Sequence, residues 1–216
     1  MAAGRDNSLV LSYLDLRKAV GIIGIALPFV LVAGRMLLEQ PGILSSISSY
    51  YYSVMGDVFV GSLWAIGVFL LSYRGYERAD DVAGDLACVF AIGVAVFPTA
   101  PDAGVSARQA FIGGVHLFFA ACFFLTLSFF ALKLFRKTDP AQPPTRRKLL
   151  RNAVYTLCGY TMLACLALIV LHKFFPGFVP LPQPVFWLES LAITAFGISW
   201  FVKGEAILQD EVAGGA

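Results

Sequence analysis

Six apolar runs, at 19–38, 58–72, 82–97, 111–132, 153–171 and 185–202, occupy about half of the 216-residue chain. Of all residues, 58% are hydrophobic and 14% charged, against about 45–50% and about 25% in soluble domains. A soluble core has no room for so much apolar surface. A bilayer does, because a helix of roughly 20 apolar residues matches a hydrocarbon layer about 30 Å thick. Backbone amides cannot stay unpaired in lipid, so each run is expected as an α-helix rather than a strand. The expected fold is therefore all-α: an integral membrane bundle of six transmembrane helices spanning 19–205, with a cytoplasmic segment at 1–18 and a flexible tail at 206–216. The third run is the least regular. It is short, carries Asp85 near its start and stops at Pro98, so it is expected in the middle of the bundle, where neighbours cover its ends.

Orientation follows from where lysine and arginine fall, because basic loops resist translocation. Thirteen of the sixteen fall on one side: Arg5, Arg17 and Lys18; Arg74 and Arg78; Lys133, Arg136, Lys137, Arg146, Arg147, Lys148 and Arg151; and Lys203. Only Arg35, Arg108 and Lys173 fall on the other. Both termini are thus expected in the cytoplasm, and the protein in a bacterial inner membrane with no cleaved leader. The basic fourth loop reads as a solvated connector at the anionic leaflet, with a lipid-headgroup site as its alternative. A net charge of +2 argues against a nucleic-acid partner.

The four cysteines, Cys88, Cys122, Cys158 and Cys165, all lie in predicted helices and form no CxxC pair, so neither a disulfide framework nor a zinc knot is expected. There is no GxGxxG, P-loop, HExxH or GxSxG signature, and no cofactor or metal is expected.

Polar chemistry gathers in 42–74, where a hydroxyl-rich stretch (Ser45, Ser46, Ser48, Ser49, Tyr50, Tyr51, Tyr52, Ser53) precedes Asp57 and an apolar run. Tyrosines at this level commonly form an interfacial belt. Three in a row cannot share one helix face, so some are expected to turn inward with serines beside them. Asp57 reads either as a carboxylate favoured by the helix amino terminus or as a polar group at the mouth of a cavity. Arg108 starts the fourth helix, and His116 lies eight residues on, about 12 Å deeper at about 1.5 Å per residue. A single histidine there is either a hydrogen-bonded structural residue or part of a site. Glu189 sits about one turn into the sixth helix, where a carboxylate is costly unless paired or hydrated; Arg108 and His116 are its expected partners. Asp85 is expected to pair with a base such as Lys203. Ser48, Tyr51, Asp57, Arg108, His116 and Glu189 form the candidate ligand-binding set. Small residues at Gly21, Gly24 and Gly34, and at Ala87, Ala91 and Ala95, predict close helix packing and a face for oligomer contacts.

The runs SISSYYYS-x-x-GDVFVG, YRGYE, AVFPTAP, VHLFFAACFF and WLES-x-x-x-x-AFGISWFVKGE, spread over 45–205, resemble a family of small, uncharacterised six-helix bacterial membrane proteins. That resemblance implies the topology and localisation above and no activity. A more distant likeness, in helix number and a Ser/Asp/His trio, is to the CREST superfamily of intramembrane hydrolases and receptors. Those proteins have seven helices and three zinc-binding histidines, whereas this chain has only His116 and His172.

Three functions follow as expectations. The first is a protein that binds membrane lipid, a small molecule or an ion in a polar cavity in the outer half, with transporters and channels included. The second is an intramembrane lipid-modifying hydrolase with His116 or Glu189 as general base and a serine or water as nucleophile. The third is a structural subunit whose polar residues only fasten helices.

Overall fold

A computed structural model describes residues 2–75, 77–138, 144–205 and 207, with side chains from Tyr13 onward. The described residues form six α-helices: α1 (Ala2–Leu38), α2 (Gly56–Leu71), α3 (Arg78–Val96), α4 (Ala107–Phe129), α5 (Arg146–Phe174) and α6 (Pro184–Lys203). Each coincides with one of the six apolar runs. Helix α1 passes position 18 without a break, so the described part of the polar leading segment continues the first span. The predicted tail lies outside the described residues apart from Ile207.

Local chemistry explains the helix ends. Ser106 caps α4 by accepting from the Gln109 amide, while the Gln109 side chain accepts from the Ser106 amide at 2.9 Å. Thr145 caps α5 through the Lys148 amide at 3.1 Å. Helix α6 starts on Pro184, whose missing N–H would have had no helical partner at that position. A π-helical turn, Phe130–Leu134, extends α4.

The helices close into a ring in chain order, each packing on its neighbour in sequence, and α6 returns to α1. Gly204 lies against the backbone of Lys18 and Leu14, so the start of the first span and the end of the last meet at one end of the bundle. The α1–α6 seam is a contact of backbones. A Cβ added to Gly21 would fall 2.6 Å from the Phe201 amide nitrogen, and one added to Gly197 would fall 2.6 Å from that of Ile25. Small residues permit such an approach, and dispersion and weak polar contacts then hold helices together without a hydrophobic drive between them.

Helix α3 forms one wall of the ring rather than its centre, contrary to expectation. It buries Ala83, Ala87, Ala91 and Ala95 on one face and exposes Val82, Leu86, Val89 and Val96 on the other. The small face lets α3 approach α2 closely, and a Cβ added to Gly84 would fall 2.8 Å from the Leu70 carbonyl oxygen.

Four helices are long and apolar enough to cross a membrane: Tyr13–Leu38, Ala107–Leu134, Arg146–Phe174 and Pro184–Lys203. Helix α2, Gly56–Leu71, is apolar but shorter. The outer surface of the ring is itself apolar, with Phe29, Phe111, Phe118 and Leu157 all exposed. Such a surface is far larger than the apolar patches of soluble monomers.

An aromatic floor fills the end of the bundle where α1 begins. Trp200, Tyr73, Phe130 and Phe135 meet with ring centroids 5.2–6.3 Å apart, mostly edge to face. Trp200 is 1% exposed and lies at the centre of this cluster. Next to the floor, Lys137 Nζ donates to Asp80 at 2.7 Å and meets Glu77 at 3.2 Å, tying the end of α4 to the start of α3. Asp80 is buried and also accepts from the Glu77 amide at 3.1 Å, so one carboxylate caps α3 and clamps α4. Asp85 pairs with Arg74 at 3.1 Å rather than with Lys203, because Arg74 stands at the end of α2 beside it.

Candidate functional site

The end opposite the floor is closed by the chain between α1 and α2, residues 40–55, which folds into the mouth of the ring as a plug. Its centre is a 3-10 turn, Ser48–Tyr52. Ser46, Ile47, Ser48, Ser49 and Tyr50 are all buried, an unusual position for non-helical backbone. Such backbone is tolerated at membrane depth only where protein or a cavity satisfies it, and here three neighbouring segments, α1, α6 and the α3–α4 connection, hold the plug. Arg35 donates to the Gly42 carbonyl at 2.7 Å. The Phe186 amide donates to the Ser45 carbonyl at 3.1 Å. The Ser45 hydroxyl donates to Asp102 at 2.7 Å. The Tyr52 hydroxyl donates to the Thr99 carbonyl at 2.7 Å.

Glu189 makes the contact of greatest chemical interest. Its Oε2 accepts from the Ser48 amide at 3.2 Å, and the Ile47 amide and Ser48 hydroxyl also face the carboxylate. The carboxylate therefore caps the plug's 3-10 turn from another helix. Its partners are backbone amides and a serine, not Arg108 or His116.

Directly beneath the plug, Ser48 and Glu189 form the polar rim of a cavity of about 50 Å³. Its walls are otherwise apolar, with Leu27, Phe59, Leu63, Ala120, Phe123 and Phe196 among them. A water needs roughly 10–15 Å³ of such volume, so the space holds a few waters. Phe196 lies against the Trp200 ring at 6.2 Å, and the aromatic floor closes that side. The cavity has one polar end and one blind apolar end.

The other candidates stand apart from this pair. His116 is 1% exposed, and its Nδ1 lies 2.7 Å from the Phe97 carbonyl at the end of α3. A carbonyl only accepts, so Nδ1 carries the proton and His116 satisfies one of the carbonyls that a helix end leaves free. Asp57 and Tyr51 share a separate polar depression of about 450 Å³ with Ser53 and Ala95. Arg108 is exposed at the start of α4 and forms no ion pair among the described residues. Among the described residues no group of three or more His, Cys, Asp or Glu is placed to hold a metal ion. A hollow of about 610 Å³ between α3 and α4 is an apolar outer groove lined by Val82, Leu125 and Phe129, with Arg78 at its edge.

Reading the sequence alone passed over Arg35, Glu39, Ser49 and Asp102, which line a second polar pocket of about 150 Å³ on the other side of the plug. A signal existed in the Arg35/Glu39 pair, opposite charges four residues apart at the end of a span.

No known protein family, curated protein or solved structure matches the chain. The likeness to six-helix bacterial membrane proteins therefore rests on its short motif runs alone.

Proposed function

We propose that this is a multi-pass protein of a bacterial inner membrane, with both termini cytoplasmic, that binds a small amphipathic guest beneath its plug. The guest's apolar body occupies the space between α2, α4 and α6, and its polar end meets Glu189 and Ser48. One observation carries this reading: a membrane-level carboxylate, met by amides and a hydroxyl of the plug, stands at the rim of an otherwise apolar cavity. Ionisable groups inside spans mark ligand and ion pathways. The blind floor favours a binding pocket over a through-channel. A guest larger than a few waters enters by displacing the plug, which is held at its rim by hydrogen bonds.

The test is to purify the protein in mild detergent, extract what travels with it and identify it by mass spectrometry. A bound apolar compound is expected in the wild type, reduced at least about tenfold in Glu189→Gln and in the cavity-filling Ala120→Leu. Equal recovery from all three proteins would remove the reading.

A second reading has its own observation, the Ser48 hydroxyl facing Glu189. A serine beside a carboxylate base is the minimal arrangement for nucleophilic hydrolysis of a lipid ester. Fluorophosphonate labelling of the wild type, lost in Ser48→Ala, would favour hydrolysis over simple binding. His116 has no part in this arrangement, because it does not line the cavity that holds Ser48 and Glu189.

A further inference from the structure

The outer groove between α3 and α4 belongs neither to the plug nor to the cavity beneath it. Its volume of about 610 Å³ falls within the usual range of ligand sites, about 300–1,000 Å³. Ala79 and Ala83 leave the trough empty, while Val82, Leu86, Leu125 and Phe129 stand as its sides. Apart from Arg78, the one polar lining residue is Thr126, whose hydroxyl donates to the Cys122 carbonyl at 2.8 Å. The trough therefore suits a hydrocarbon chain and not a polar guest. From Arg78 to Leu86 the α3 side rises about 12 Å, at about 1.5 Å per residue. That is close to the hydrocarbon depth of one leaflet, half of about 30 Å.

Charge at the mouth selects the head of the guest. Helix α3 starts and α4 ends at this corner of the bundle, tied together by Lys137. Each described acid of the corner is already engaged: Glu77 and Asp80 by Lys137, Asp85 by Arg74 at 3.1 Å, and Asp81 by the Gly75 amide at 3.3 Å. The cations are in excess. Arg78, on the groove, and Lys133, four residues beyond Phe129 at the same end, are both exposed and form no ion pair among the described residues. An interfacial phosphate at that level would meet both of them. The same charges argue against a second copy as the occupant. Copies in one membrane share an orientation, so a twofold pairing of α3–α4 faces would set Arg78 and Lys133 against their own kind.

We propose that the α3–α4 groove binds an anionic glycerophospholipid of the leaflet on the basic side, one acyl chain in the trough and the phosphate on Arg78 and Lys133. This site rests on the membrane reading of the bundle and not on the guest beneath the plug.

The experiment places the full-length protein in nanodiscs of phosphatidylcholine and phosphatidylglycerol, in equal parts and with the same chains. Lipids that stay on the protein are counted by native mass spectrometry. Phosphatidylglycerol is expected to be retained over phosphatidylcholine by at least about tenfold. Arg78→Gln should lower that preference about fivefold, and adding Lys133→Gln should abolish it. Ala79→Phe, at an exposed position, fills the trough without touching a charge and should cut retention of phosphatidylglycerol by at least about fivefold. Glu189→Gln should retain as much of it as the wild type. Four results would overturn the proposal. The wild type could show no preference, or Ala79→Phe could retain the lipid fully, which would place it on the basic loops at large. Displacement by soluble glycerol 3-phosphate would indicate a plain anion site, and a wild-type dimer lost in Ala79→Phe would give the groove to a second copy. A protein that fails to enter the discs would sink the membrane reading and this site with it; normal entry with any of the four results would sink this site alone.

Discussion

Glu189 Oε2 accepts from the Ser48 amide at 3.2 Å across 141 positions of sequence, joining the last helix to the plug that separates the two pockets. Replacing Glu189 with leucine removes the acceptor and leaves the plug amide unsatisfied, a change that costs about 1–3 kcal/mol. The plug should loosen. In a Cys122→Ser background, a cysteine introduced by Ser48→Cys should react with a membrane-impermeant maleimide faster when Glu189 is leucine than when it is intact. Equal rates would mean that the carboxylate does not hold the plug.

The backbone contact between α1 and α6 makes a sharp prediction about two glycines. Gly197→Val places new carbon 2.6–2.9 Å from the backbone of Ile25, Gly21 and Gly24, so the helices must part, at a cost of about 1–3 kcal/mol or more. Gly114→Ala, in α4, meets nothing within 4 Å. There the better helix propensity of alanine should raise stability by up to about 1 kcal/mol. Thermal unfolding of the two variants side by side should move Tm in opposite directions.

His116 is placed as the clamp of α3. His116→Leu keeps the apolar volume and removes the hydrogen bond to the Phe97 carbonyl, so unfolding should become easier by about 1–3 kcal/mol. Recovery of a guest from the cavity under the plug should be unchanged, because His116 does not line it.

Lys137 sets an alkaline limit. Its hydrogen bond to Asp80, ahead of the one to Glu77, raises the ammonium above the ordinary lysine range, against a smaller opposing effect of burial. A base whose folded pKa is raised stabilises the fold fully below its unfolded value, about 10.4. That contribution disappears as pH rises through the higher folded value. Stability measured by denaturant unfolding should therefore fall above about pH 10.4 in the wild type, and this part of the fall should be absent in Lys137→Gln. The variant should be weaker at neutral pH by about 1–2 kcal/mol, since the lysine is partly exposed and its pairs are screened.

The six helices were legible because each is written as a long apolar run, and each run became a helix. The close seams were legible too, at Gly21 and Gly24 and along Ala87, Ala91 and Ala95, because only small residues permit them. Partners were not. Glu189 found backbone amides of a non-helical loop, and no side-chain pattern announces where a loop's amides will point. Asp85 went to Arg74 and not Lys203, since the turn between α2 and α3 fixes their approach while pairing rules see only sign. The Arg35 pocket went unseen because its walls come from three segments that only the folded plug brings together.

Helix α6 completes the most extensive helix pair among the described residues, and it leaves the ribosome after the other five. Until it does, the glycine face of α1 has no mate and Glu189 is not yet there to hold the plug. The first helix must therefore wait for its mate while four others are made. A truncation that stops before α6 would leave an open horseshoe with an unseated plug, a form suited to recognition by membrane quality-control proteases.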